Sequence, residues 1–242
     1  MAVKEVSYQS STFSLAYEIV NPAEKQSILV LHGWGSHKEI MKQAFGKQLP
    51  GFKQIYLDLP GFGKSSNTMI LTTRDYANIV GLFLAALGVK PQVAMGHSFG
   101  GKVSTLLHTP CLVLLSSSGI LVPKAFKVRL KIALFKVLKP LKLDRLHQLF
   151  VSDDAKGMSH AMYETFKNVV NEDFESHFSA SQSRALLFWG TEDTATPLWS
   201  GEKISALIEE SSFYPLAGDH YFFLHHARTI SDTITETCKD RD

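Results

Sequence analysis

The chain has 242 residues, 45% of them hydrophobic and 20% charged, with a formal net charge of +2. That length and apolar content suit one sizeable α/β domain carrying an insertion. The small charge excludes a nucleic-acid surface spread over the whole molecule, and no RNA- or DNA-binding motif is present.

Residues 1–7 contain no apolar core, so neither a signal peptide nor a transit peptide is expected. Residues 6–20 alternate polar and apolar side chains, the pattern of an antiparallel hairpin at a sheet edge, and Asn21-Pro22 ends it. Continuous apolar runs then recur at 27–31, 54–59, 92–95, 111–115 and 185–189, each followed by glycine, proline or small polar residues. Such runs suit strands buried on both faces, and the segments 73–87 and 100–107 between them suit helices. The alternation predicts a mostly parallel sheet. Thr72 and Asp75 form a capping box for the first of these helices, and Gly88 is placed to close it. The longest apolar stretch, 79–89, is shorter than the ~20 residues that span a bilayer and reads as a buried helix.

Between Gly119 and about Ser183 the strand pattern stops, so residues 120–183 are expected to form a helical lid inserted into a core made of 1–119 and 184–242. Residues 124–150 hold eight basic side chains (Lys124, Lys127, Arg129, Lys131, Lys136, Lys139, Lys142, Arg145) against Asp144 alone. An amphipathic helix with its apolar stripe over a pocket explains this, and weak contact with anionic lipid is the sharper alternative. Met158, Met162 and Phe166 recur at four-residue spacing and would line one helix face, either as core or as an adaptable apolar pocket. Cys111 and Cys238 lie far apart, one in an apolar run and one in a polar tail. No disulfide framework is indicated, and a reducing cytoplasm is the expected location.

Gly96-His97-Ser98-Phe99-Gly100 follows one apolar run and opens a helix, the setting in which a strained turn presents a single serine nucleophile. His97 adjoins Ser98 but points elsewhere on so tight a turn, so packing or hydrogen bonding behind the turn is its expected role. His32-Gly33-Trp34-Gly35 ends another strand; the N-H of Trp34 and that of Phe99 would form the donor pair for a tetrahedral oxyanion. The chain order serine, acid, histidine leaves His220, His225 and His226 as bases, and His220 is favoured because it lies on the loop after the strand at 212–216. Asp193, on the loop after 185–189, is the favoured acid over Glu192 and Asp219.

These motifs, with Asp58-Leu59-Pro60-Gly61-Phe62-Gly63-Lys64-Ser65 and Trp189-Gly190-Thr191-Glu192-Asp193, resemble the α/β-hydrolase superfamily along nearly the whole chain. Among its members the chain is similar to small bacterial carboxylesterases related to meta-cleavage-product hydrolases. The resemblance implies an α/β-hydrolase fold and a carboxylesterase-type serine hydrolase, with Ser98, Asp193 and His220 catalytic. It also implies a small-molecule ester as partner and a structural turn at 58–65. Carbon-carbon bond hydrolases share the serine triad, but commonly carry tryptophan after the catalytic histidine, where this chain has Tyr221, and a substrate-binding arginine to which neither Arg129 nor Arg145 can be matched. A ligand receptor on the same fold is the other alternative. The expected pocket residues are Met158, Met162, Phe166 and Tyr221. No HExxH, paired CxxC or glycine-rich dinucleotide motif is present, so no metal and no cofactor are expected.

Overall fold

The computed structural model describes residues 1–122 and 159–238. An eight-stranded sheet runs through them in the order β1-β2-β4-β3-β5-β6-β7-β8, built from β1 (Ala2–Tyr8), β2 (Ser11–Val20), β3 (Gln26–Leu31), β4 (Phe52–Leu57), β5 (Val93–His97), β6 (Cys111–Leu115), β7 (Arg184–Gly190) and β8 (Ser211–Leu216). The first two strands are the expected edge hairpin, antiparallel to each other, and β2 also pairs antiparallel with β4. All other pairings are parallel.

Strands β3, β5 and β6 are almost wholly buried, which is why they read as unbroken apolar runs. Successive side chains serve opposite layers, as the strand period of two requires. Leu29, Leu31, Ile55 and Leu57 pack under Tyr76, Val80 and Phe83 of α2 (Thr73–Leu87), together with Val103 of α3 (Phe99–Thr105). Ile28, Val30, Tyr56 and Met95 face Met41 and Phe45 of α1 (Lys38–Phe45) and the terminal helix on the other side. The capping box forms as expected: Thr72 Oγ1 accepts from Asp75 N, Asp75 Oδ2 accepts from Thr72 N at 2.8 Å, and Gly88 closes the helix at φ 67°.

After the undescribed stretch the chain returns through α4 (His160–Val170) and α5 (Glu175–Ser179), then α6 (Leu198–Leu207) and α7 (Phe223–Cys238). Helix α4 is tied to the core by polar contacts. Thr165 Oγ1 accepts from Leu71 N at 2.9 Å, and buried Lys102 of α3 donates to Val169 O at 2.6 Å and to Glu172 at 2.9 Å. Met158 and the basic stretch 124–150 lie outside the described residues.

Two expectations are corrected. Cys111 and Cys238 are joined by a disulfide, with Cα atoms 5.8 Å apart. The supposed polar tail continues α7, whose buried Phe223, Ala227, Ile230, Ile234 and Cys238 keep helical spacing and carry the second cysteine back to β6. The cysteine argument for a reducing compartment falls with it. Among the described residues no helix is long and apolar enough to cross a membrane.

Candidate active site

The chain order reverses between β3 and β5: the connection from β3 leads outward to β4, and the next strand is laid on the far side of β3. Ligands of open α/β sheets bind at the carboxyl ends of strands beside such a reversal. The loops after β3, β5, β7 and β8 carry the candidate residues there.

Ser98 sits between β5 and α3 at φ 51° and ψ −115°, a conformation that costs a non-glycine residue of order 1–3 kcal/mol. The surroundings enforce it: Ser98 N donates to Leu115 O at 3.0 Å, and its carbonyl accepts from Gly101 N at 3.0 Å and Ser118 N at 3.1 Å. A Cβ at Gly96 would stand 2.2 Å from Gly100 O, and one at Gly100 would stand 2.5 Å from His32 O. The two glycines flanking the serine are therefore steric requirements.

In the turn after β3, His32 is fully buried. Its Nε2 accepts from Leu59 N at 3.0 Å, so its Nδ1 carries the proton and donates to Gly33 O at 2.7 Å. Ser36 N donates to the same carbonyl at 3.2 Å. Because the peptide unit is planar, holding the Gly33 carbonyl also fixes the direction of the Trp34 N-H. Phe99 is the first residue of α3, so its N-H has no acceptor within the helix.

Asp193 is buried on the loop after β7, and His220 lies on the loop after β8. Oδ1 of Asp193 accepts from Ala195 N at 2.7 Å and Thr196 N at 2.9 Å; Oδ2 lies 2.9 Å from Thr196 Oγ1 and 2.7 Å from His220 Nδ1. Burial pushes the Asp193 carboxyl up, but the facing His220 and the converging donors outweigh it and hold the carboxyl below the usual carboxylate range. An ionised carboxylate can only accept, so in the neutral ring the His220 proton is on Nδ1 and Nε2 keeps a lone pair. The two loops are laced together by Thr191 N to Leu216 O and Glu192 N to Gly218 O, both 2.9 Å.

Sequence reasoning missed Thr196 and Ser116. Thr196 Oγ1 also lies 3.1 Å from Ser116 O, and Ser116 lies 80 residues away in the chain, where no local pattern flags it. His97 does lie behind the elbow, with Nε2 2.9 Å from His220 O. Among the expected pocket residues, Phe166 packs 5.4 Å from the Trp34 ring, Met162 covers Gly61, and Tyr221 lies 5.7 Å from the His220 ring. A cavity of about 400 Å³ opens beside Gly35, Gly61, Phe62, Asn67 and Met162; neither Ser98 nor His220 lines it. Asp58 stays out of the site: it accepts from Lys38 Nζ at 2.9 Å, Lys38 N at 2.7 Å and Lys64 N at 3.1 Å, holding the 58–65 turn.

Burial lowers the pKa of His32 to about 4, against partial opposition from its bond to Gly33 and from Asp58. Burial, and then the neighbouring His220, hold His97 well below the ordinary histidine value too. Between pH 6.5 and about 4 the unfolded chain binds the His32 proton and the folded one does not, and His97 acts in the same direction, so their contribution is full above pH 6.5 and falls as the pH drops. For His32 the loss is roughly 3 kcal/mol over the window. Asp193 and Asp58 have folded values below the unfolded one, so their contribution declines only below about pH 4. Thermal melts between pH 7 and 4.5 should therefore show a falling Tm, with a shallower slope in H32N; an unchanged slope in H32N is the contrary result.

An eight-stranded, mostly parallel sheet with a serine on a strained strand-to-helix turn defines the α/β-hydrolase fold. The family model described as "alpha/beta hydrolase fold" matches residues 26–108. The uncharacterized hydrolase YugF of Bacillus subtilis (strain 168) is 30% identical over 233 residues, covering 83% of this chain and 85% of that protein. The chain belongs to the α/β-hydrolase family and is a hydrolase of it. A pimeloyl-[acyl-carrier protein] methyl ester esterase of Pectobacterium carotovorum subsp. carotovorum (strain PC1) is 30% identical over 83 residues, which cover 34% of this chain and 31% of that enzyme. A thermophilic esterase from Thermogutta terrifontis superposes with a TM-score of 0.73 at 18% identity, covering 98% of this chain and 97% of its own.

Proposed function

We propose that the protein is a serine hydrolase that cleaves carboxylic esters of short to medium acyl chains through an acyl-enzyme on Ser98. The observation that carries the reading is the 2.7 Å bond from His220 Nδ1 to Asp193, which leaves Nε2 unprotonated at the elbow end of the sheet. In this reading Ser98 Oγ attacks the ester carbonyl carbon as His220 Nε2 takes its proton, while Asp193 stays ionised and stabilises the imidazolium. The N-H groups of Trp34 and Phe99 bind the tetrahedral oxyanion, where losing one donor costs ~3 kcal/mol of transition-state binding. His220 then protonates the departing alcohol, and water hydrolyses the acyl-enzyme by the same proton path in reverse.

Residues 120–183 serve as the inserted lid over a core of 1–119 and 184–242. Met162, Phe166 and Tyr221 supply apolar surface for the acyl group. The match to a methyl ester esterase, over a third of the chain, favours an ester as substrate.

The test is a panel of p-nitrophenyl esters of increasing acyl length beside a vinylogous diketone ring-fission product. The best ester should exceed the diketone by at least about tenfold in kcat/KM, equivalent to ~1.4 kcal/mol. A burst of p-nitrophenol should precede the steady state if deacylation is the slower step. Faster cleavage of the diketone would replace the ester reading with carbon-carbon bond hydrolysis. Tight binding of one ligand without turnover would indicate a receptor.

A further inference from the structure

We infer that His97 is a positioning residue for the base: through one hydrogen bond and its ring face it holds the His220 loop in register with the Ser98 elbow. The inference rests on the Ser98, His220 and Asp193 reading above. His97 is the last residue of β5 and is buried. Its Nε2 is 2.9 Å from the His220 carbonyl oxygen. A carbonyl can only accept, so Nε2 carries the proton and the neutral ring leaves Nδ1 bare. Nδ1 is buried and has no hydrogen-bond partner among the described residues.

That unpaired nitrogen is the informative feature. Leaving a buried polar atom unsatisfied costs ~1–3 kcal/mol. A phenylalanine or leucine would fill the same apolar space without that cost. The ring lies 4.5 Å from His220, 5.2 Å from Tyr221 and 4.9 Å from Phe223, centroid to centroid. Its imidazole adds one thing those side chains lack, the donor to the His220 main chain.

The same ring reaches the third loop of the site. A Cβ at Gly33 would lie 3.0 Å from His97 Nδ1 and 3.1 Å from the Ser98 Cβ, so the turn that carries the Trp34 N-H closes directly on both residues. One rigid side chain thus contacts the turn after β3, the elbow and the base loop. Asp193, His220, His32 and Tyr221 are the titratable groups around it. His97 stays neutral among them, because burial first and His220 second depress its proton affinity. It therefore places no second positive charge beside His220 when the reaction makes that ring an imidazolium.

The test compares H97F, H97N and H97Q with the parent chain on a p-nitrophenyl ester, with a thermal melt of each. Only the glutamine amide reaches the Nε2 position; the asparagine amide ends near the ring's Nδ1. H97F and H97N should lose about 100-fold in kcat, the scale of a ~1 Å misplacement, with KM within about twofold, and H97Q should recover most of the loss. The acid limb of the kcat/KM profile should move in H97F and return in H97Q. In NMR spectra the low-field His220 Nδ1-H resonance should shift or broaden in H97F and H97N. Unchanged kcat and resonance in H97F, or no advantage of H97Q over H97N, overturns the inference. If H97F does not fold, the glutamine and asparagine pair decides alone. If Ser98→Ala keeps full turnover, the serine reading fails, and the His220 resonance still decides whether His97 positions that ring.

Discussion

Ser98→Ala is expected to lower kcat on a p-nitrophenyl ester by about 10⁶-fold while the protein stays folded, because the acyl-enzyme of the proposed reaction forms on Oγ. The hydroxyl is dispensable to the fold. The elbow is held by main-chain bonds from Ser98 N to Leu115 O and from Gly101 N and Ser118 N to Ser98 O, all of which alanine retains. A residue of about 10³- to 10⁴-fold over water should survive from the oxyanion donors and binding alone. Ser98→Gly should be equally inactive yet more stable. Glycine releases the ~1–3 kcal/mol stored at φ 51° and gives back ~0.5–1 kcal/mol of chain entropy, so a net gain of about 1 kcal/mol is expected. Activity retained in Ser98→Ala would remove the nucleophile assignment, and a lower Tm in Ser98→Gly would remove the strain argument.

What could be read in the chain beforehand was whatever is encoded locally. The helix Thr73–Leu87 carries its start in Thr72 and Asp75 and its stop in Gly88, and its bounds agree with the expectation. Strand Cys111–Leu115 is buried on both faces, so its apolar run marks both ends. The elbow is legible because glycines 96 and 100 are dictated by backbone contacts within the motif or one strand away. The helix Lys38–Phe45 escaped notice because a charged residue opens its buried face: Lys38 is buried only because Asp58, twenty residues on, neutralises it. The disulfide, the Thr196 contact with Ser116 and the His97 bond to the His220 carbonyl join residues 127, 80 and 123 positions apart. Each depends on sheet order, which no local pattern carries.

Asp193→Asn separates the proposed acid from its neighbours, and the hydrogen bonds around it dictate the outcome. Two main-chain donors, Ala195 N and Thr196 N, converge on Oδ1, so an asparagine must place its carbonyl oxygen there. Its NH₂ group then occupies the Oδ2 position and faces His220 Nδ1. An amide nitrogen only donates, so His220 must present a bare Nδ1 and move its proton to Nε2. A protonated Nε2 cannot take the proton of Ser98. The expected loss in kcat is about 10⁴-fold, with KM little changed because the defect lies in the transition state. Glu192 is exposed, and Asp219 uses its Oδ1 to accept from Tyr221 N at 2.8 Å. E192Q and D219N should therefore stay within a few-fold of the parent chain. A larger loss in either of them than in D193N would transfer the acid role to that residue and break the link between the 2.7 Å bond and the reaction.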